Sequence, residues 1–127
     1  MTISEANIDI LRIDGNLDSI SVAMPVWDKL SNDGLLSIDI PLFGIKTFAI
    51  DDNDAKKAIE DSVRLFCLSA EKFGRGLEFE LLNMGWKITS DTKGIVSMSF
   101  EVSETNTVIE QIMHTGEQFA QKLELAS

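Results

Sequence analysis

The chain has 127 residues, of which 44% are hydrophobic and 25% charged, with two prolines and one cysteine. That composition excludes a disordered, collagen-like or disulfide-stapled chain, and a single domain of this size removes roughly two thirds of its unfolded surface from water without needing disulfides or a metal. Eleven Lys and Arg stand against 21 Asp and Glu, a formal net charge of −10 with no basic lobe, which opposes binding to phosphate backbones or anionic membranes and favours a basic protein partner.

The first element expected is a hairpin from Ile8 to Trp27, turning through Asp14-Gly15-Asn16. In its second arm Ile20, Val22, Met24 and Val26 recur at period two on one face of a strand, with Ser21, Ala23, Pro25 and Trp27 on the other. Pro25 hints at an edge or a bulge. A turn at Ser31-Asn32-Asp33-Gly34 leads to Leu36, Ile38 and Ile40, and Pro41-Leu42-Phe43-Gly44 breaks that run before a short strand from Ile45 to Ile50. Asp51-Asp52-Asn53-Asp54 then caps a long helix whose apolar stripe is Ala55, Ala58, Ile59, Val63, Phe66, Ala70 and Phe73, ended by a left-handed Gly74.

Leu77, Phe79 and Leu81 alternate with Glu78 and Glu80 as a strand, and a hairpin follows from Trp86 to Ser103 through Asp91-Thr92-Lys93-Gly94. Thr105-Asn106-Thr107 open a second amphipathic helix carrying Ile109, Ile112, Met113, Gly116, Phe119, Ala120 and Leu123. The order predicts one α+β domain over residues 1–127, a mostly antiparallel sheet packed against a central amphipathic helix with a second C-terminal helix. No run approaches the ~18 apolar residues of a membrane span, and the N-terminus has neither a basic start nor an apolar run. With one cysteine and hence no internal disulfide, the expected location is the cytoplasm.

Chemistry is sparse in the pattern. From Asp52, the sixth and twelfth places of a calcium loop hold Lys57 and Val63, so the acidic run reads as helix capping. His114 is the only histidine and no Cys/His spacing accompanies it, which leaves a solvated helix face as its reading. Cys67 lies on the helical stripe as a small apolar residue, and no local motif pairs it with His114. Gly74-Arg75-Gly76 follows a helix, where a phosphate loop would follow a strand. No catalytic residue, metal ligand or cofactor is expected.

The segment Ile38-Asp39-Ile40-Pro41-Leu42-Phe43-Gly44-Ile45-Lys46-Thr47, followed by Asp54-Ala55-Lys56-Lys57-Ala58-Ile59-Glu60-Asp61-Ser62-Val63, resembles the HicB-like antitoxin family. Pro41, Gly44, Thr47 and Asp54-Ala55 fall where that family has proline, glycine, threonine and Glu-Ala, and the likeness covers about residues 19–82. Phe43-Gly44-Ile45 stands where the family has Pro-Gly-Cys, and no C-terminal helix-turn-helix or basic ribbon-helix-helix is visible. The resemblance implies a non-catalytic antitoxin, or an accessory protein derived from one, that neutralises a small basic RNase toxin by masking its surface.

Candidate partner-binding residues are Trp27 and Leu35, out of phase with the core residues of their strands, and Phe43, in a turn. The competing reading for each is a sheet covered on both faces. A homodimer through a strand edge or the C-terminal helix is a further expectation. The alternative function is an accessory or immunity-type protein, or a small-ligand-binding domain, sharing only the α+β layout.

Overall fold

In the computed structural model, which describes residues 2–103 and 117–125, the chain runs β1 (Thr2–Ile13), β2 (Asn16–Leu30), β3 (Leu36–Ile40), a 3-10 turn (Pro41–Phe43), β4 (Ile45–Ala49), α1 (Asp52–Phe73), α2 (Leu77–Asn83), β5 (Lys87–Thr92), β6 (Ile95–Ser103) and β7 (Glu117–Glu124). The fold is α+β. Seven strands form an antiparallel sheet in the order β4-β3-β2-β1-β6-β5, with β7 also paired to β2. Among the described residues, no helix is long and apolar enough to cross a membrane.

The β1–β2 and β5–β6 hairpins close on two-residue turns with positive φ at both positions, Asp14 (51°) with Gly15 (81°) and Lys93 (54°) with Gly94 (81°). That geometry matches the right-handed twist of the flanking strands. Gly94 is also held to glycine by proximity, since a Cβ there would lie 2.9 Å from the carbonyl oxygen of Arg12. Between the arms, Ile8 and Ile10 face Val22 and Ile20 on one side and Met98 and Val96 on the other, and all six are buried. β2 buries Ile20, Val22, Met24 and Val26 on the same face, as the period-two pattern requires. Pro25 falls after the last β1 pair at Ala23 and before the first β3 pair at Trp27, in the stretch held by β7.

The start of α1 is a reciprocal cap. The Asp51 carboxylate accepts from the Asp54 amide at 2.8 Å, and the Asp54 carboxylate accepts from the Ile50 amide at 3.0 Å. Two otherwise orphaned donors are thereby satisfied, and the charge opposes the positive end of the helix dipole. The acidic run is capping, as its sequence suggested. Along the helix Ala55, Val63, Cys67 and Ala70 are buried, and burial pushes the Cys67 thiol up to about 12, so it is an inert apolar side chain at neutral pH.

Four expectations are corrected. Leu77 to Leu81 form the helix α2, not a strand: Leu77 and Leu81 are buried while Phe79 is turned out, because residues four apart share a face in either conformation. The same ambiguity explains the C-terminus. Residues 117–124 are a strand, in which Phe119 and Leu123 pack opposite Met24 and Ile20, and the remainder of the expected helix, including Thr105, Ile109, Ile112, Met113, His114 and Gly116, lies outside the described residues. Gly74 is extended (φ −97°), and its glycine is required instead by crowding, since a Cβ would meet the Ala70 carbonyl oxygen at 2.7 Å. The left-handed position is Gly76 (φ 105°).

The fourth correction is Phe43, which is 2% exposed and so offers no contact surface. The 3-10 turn, closed by left-handed Gly44 (φ 66°), carries its ring inward, where it stacks on Phe66 of α1 at 4.8 Å and meets Trp86 at 5.7 Å. Trp86 in turn meets Phe100 of β6 edge-on at 5.9 Å and donates its indole N–H to the Leu42 carbonyl at 3.0 Å. Aromatic pairs at these distances contribute beyond their buried area. Phe43→Ala is expected to destabilise the fold by about 3–5 kcal/mol in denaturant titration. Trp27→Ala, at an exposed position, is expected to stay within about 1 kcal/mol of the parent; equal losses for the two would contradict this placement.

Candidate functional site

The short β2–β3–β4 portion of the sheet has two unlike faces. Its inner face carries Ile38, Ile40 and Ala49, all buried, with Leu36 and Ile45 packed against the same core. Its outer face follows from the register: Trp27 lies opposite Asp39, which lies opposite Lys46, and Lys29 lies opposite Ser37, which lies opposite Phe48. One residue beyond the last pair, the alternation brings Leu35 and Ile50 to the same side. Trp27 is 42% exposed, Leu35 36%, Phe48 60% and Ile50 74%.

The structure therefore brings Trp27 and Leu35 to one face, as their phase suggested, and removes Phe43 from it. Phe48 and Ile50 were missed. Their signal was present: with Ile45 and Ala49 assigned to the core, period two sends Lys46, Phe48 and Ile50 outward. Phe48, Leu35 and Ile50 gather at one end of the face and Trp27 sits diagonally across, with Lys29, Ser37, Asp39 and Lys46 between them. Asp33 lies two residues from Leu35, and its carboxylate is held below its usual range, first by the Ser31 hydroxyl and then by the Leu35 amide, which both donate to it. Asp39 contributes an unmet acceptor, since its Oδ1 is shielded from solvent and no donor among the described residues reaches it.

The contrast along β2 marks this face. On its outer side β2 carries Ser19, Ser21, Ala23 and Pro25, of which Ser19 and Pro25 are buried, and the row continues onto Asn7, Asp9, Ser97 and Ser99 of the neighbouring strands, with the Ser97 hydroxyl donating to Asp9 at 2.7 Å. At Trp27 the same side turns large and apolar. Phe48, Leu35 and Ile50 form the contiguous apolar patch of this face, the kind that marks interaction surfaces, and Trp27 stands apart from them across the four polar residues.

Two concavities lie away from this face. A cleft of about 420 Å³ between the first turns of α1 and strands β2 and β7 has Val26, Ile59 and Phe119 as its floor and Asp28, Asp52 and Lys56 among its polar groups. It holds neither a histidine nor a cysteine, and among the described residues no three His, Cys, Asp or Glu side chains converge as metal ligands. The second hollow surrounds Arg12. Its guanidinium donates twice to Glu71 (2.6 and 2.7 Å) and twice to Glu78 (2.6 and 2.9 Å), so every nitrogen of the fork is engaged. This cluster ties the end of β1 to the last turns of α1 and the start of α2, a structural role that leaves no guanidinium edge for a ligand.

Comparison with protein-family models, with curated proteins and with solved structures finds no match for this chain.

The Arg12 hydrogen bonds hold both the Glu71 and the Glu78 carboxyls below the usual carboxylate range, against the opposing effect of burial. Because the folded values are depressed, the stabilisation is complete above the unfolded range near about 4.3 and is lost as pH falls through the folded values. Arg12→Met is expected to cost about 2 kcal/mol at neutral pH, between the values typical of exposed and buried pairs. Denaturant titrations of parent and variant should converge as the pH falls through the depressed folded values of Glu71 and Glu78; a difference that persists undiminished in acid would contradict the role assigned to the cluster.

Proposed function

We propose that this chain is a non-catalytic, cytoplasmic protein-binding module, an antitoxin of HicB-like type or an accessory protein derived from one. In this reading, the outer face of β2, β3 and β4 masks a small basic RNase toxin. The observation that carries the reading is the outward Trp27, a large aromatic side chain left 42% exposed at the end of a row of small residues, Ser21, Ala23 and Pro25, on the outer side of β2. Buried aromatic anchors within a polar rim are the usual source of affinity in protein interfaces, and tryptophan is prominent among them.

Charge supports a basic partner. The net −10 steers cations towards the molecule, and Asp33 lies two residues from Leu35 in the sequence. Lys29 and Lys46 within the face oppose part of this attraction and require acidic or neutral groups at the centre of the partner's surface.

Affinity capture with the parent protein and with Trp27→Ala, at low and moderate salt, tests the reading. The parent is expected to retain a small basic protein that is released more readily as salt rises, and Trp27→Ala to lose it by tenfold or more in affinity, about 1.4 kcal/mol. The captured protein, assayed alone, should cleave RNA, and the parent should suppress that cleavage. Equal retention by both variants would remove Trp27 and this face from the interface, and a partner without RNase activity would overturn the antitoxin reading.

A further inference from the structure

Among the described residues, β4 pairs with β3 alone, so its far side presents unpaired backbone groups. The other outlying strands are defended by charge: β5 is exposed throughout and carries Lys87 and Asp91, and β7 carries Lys122 and Glu124. β4 reads Ile45-Lys46-Thr47-Phe48-Ala49, with one charge, no proline and a majority of strand-favouring residues. α1 departs from the end of β4 but is tied inward, through the Arg64 guanidinium donating to the Glu124 carbonyl on β7 at 3.1 Å and through Glu71 bound to Arg12 on β1. The edge carries Lys46 as its one charge and is continuous with the face that carries Phe48.

We infer that β4 is the interface of a symmetric homodimer, in which the β4 strands of two copies pair antiparallel about a two-fold axis at Thr47. A two-fold axis normal to the sheet sets each residue opposite one on the same face, so it must pass through Lys46, Thr47 or Phe48. At Lys46 it would oppose two ammonium groups directly. At Phe48 it would confine the ladder to Thr47–Ala49 and set Asp51 of each copy opposite Ile45 of the other. At Thr47 all five residues pair: Ile45 with Ala49, Thr47 with its equivalent, and each Lys46 with Phe48 of the second copy, where an ammonium beside an aromatic ring is favourable. Asp51 and Asp52 then lie beyond the ladder, away from each other across the axis. Such a dimer would set the two Trp27 faces side by side in one surface.

The dimer does not depend on the partner proposed above, and the two are separable by experiment. Sedimentation equilibrium of the parent over a concentration series is expected to show a weight-average mass rising from 14.1 kDa towards twice that value. Phe48→Lys, which sets like charges opposite each other at two places in the ladder, is expected to remain at monomer mass. Phe48→Glu, which makes the same two pairs opposite in sign, is expected to dimerise. Trp27→Ala, outside β4, should dimerise like the parent even if it loses the protein partner. A parent that is monomeric at every concentration, or Phe48→Lys and Phe48→Glu variants that dimerise alike while both remain folded by circular dichroism, would overturn the inference.

Discussion

Fifteen residues of β2 hold the molecule together, because this one strand hydrogen-bonds to β1 over its first half, to β7 through its middle and to β3 at its end. A strand shared in this way has no freedom of register: a slip of one residue would exchange its faces along the whole length. Ile20, Val22, Met24 and Val26 must stay in the core, so Ser21, Ala23 and Trp27 must point away from it. The exposure of Trp27 is thus a consequence of the alternation that builds the core. What the alternation does not require is a tryptophan there, with Phe48 two strands away on the same side.

The 3-10 turn extends this constraint to the helix. Pro41 starts the turn and left-handed Gly44 ends it, which reverses the chain between β3 and β4 and carries Leu42 and Phe43 into the interior. Phe43 then joins α1 through Phe66, and Trp86 joins both to β6 through Phe100. The Arg12 fork closes the opposite end, fixing α2 and the C-terminus of α1 to β1. Helix and sheet are therefore pinned at both ends, with the Arg64 hydrogen bond to β7 between them, and the outer face of β2, β3 and β4 rests on a buried inner layer of Ile38, Ile40 and Ala49. A face supported in that way is preorganised, which lowers the entropic cost of binding.

The sequence was legible wherever a period extended over several residues or a turn demanded a particular residue. β2, α1, both two-residue turns and the Asp51 cap were all readable for those reasons. It was ambiguous wherever only two apolar residues, four apart, decided the matter: Leu77 with Leu81, and Phe119 with Leu123, fit a helix and a strand equally. Tertiary pairing settled them, β7 by docking on β2 and α2 by burying its two leucines beside α1. Trp27 and Leu35 could be picked from phase alone. Phe43 could not, because whether a turn residue points in or out depends on Phe66 and Trp86, 23 and 43 residues further along the chain. The Arg12 cluster was equally hidden, since it unites three elements whose only sequence trace is one Arg and two Glu in otherwise solvated positions.

If the outer face of β2, β3 and β4 is where a protein partner docks, side-chain footprinting by hydroxyl radicals will register it. With the chain alone, Trp27, Phe48 and Phe73 should all react and Trp86, which is 1% exposed, should not. With the captured partner bound, Trp27, Phe48 and Leu35 should become protected while Phe73, at the end of α1, stays reactive. Protection of Phe73, Phe79 and Leu82 with Trp27 still open to attack would place the interface at the helical corner and contradict the claim.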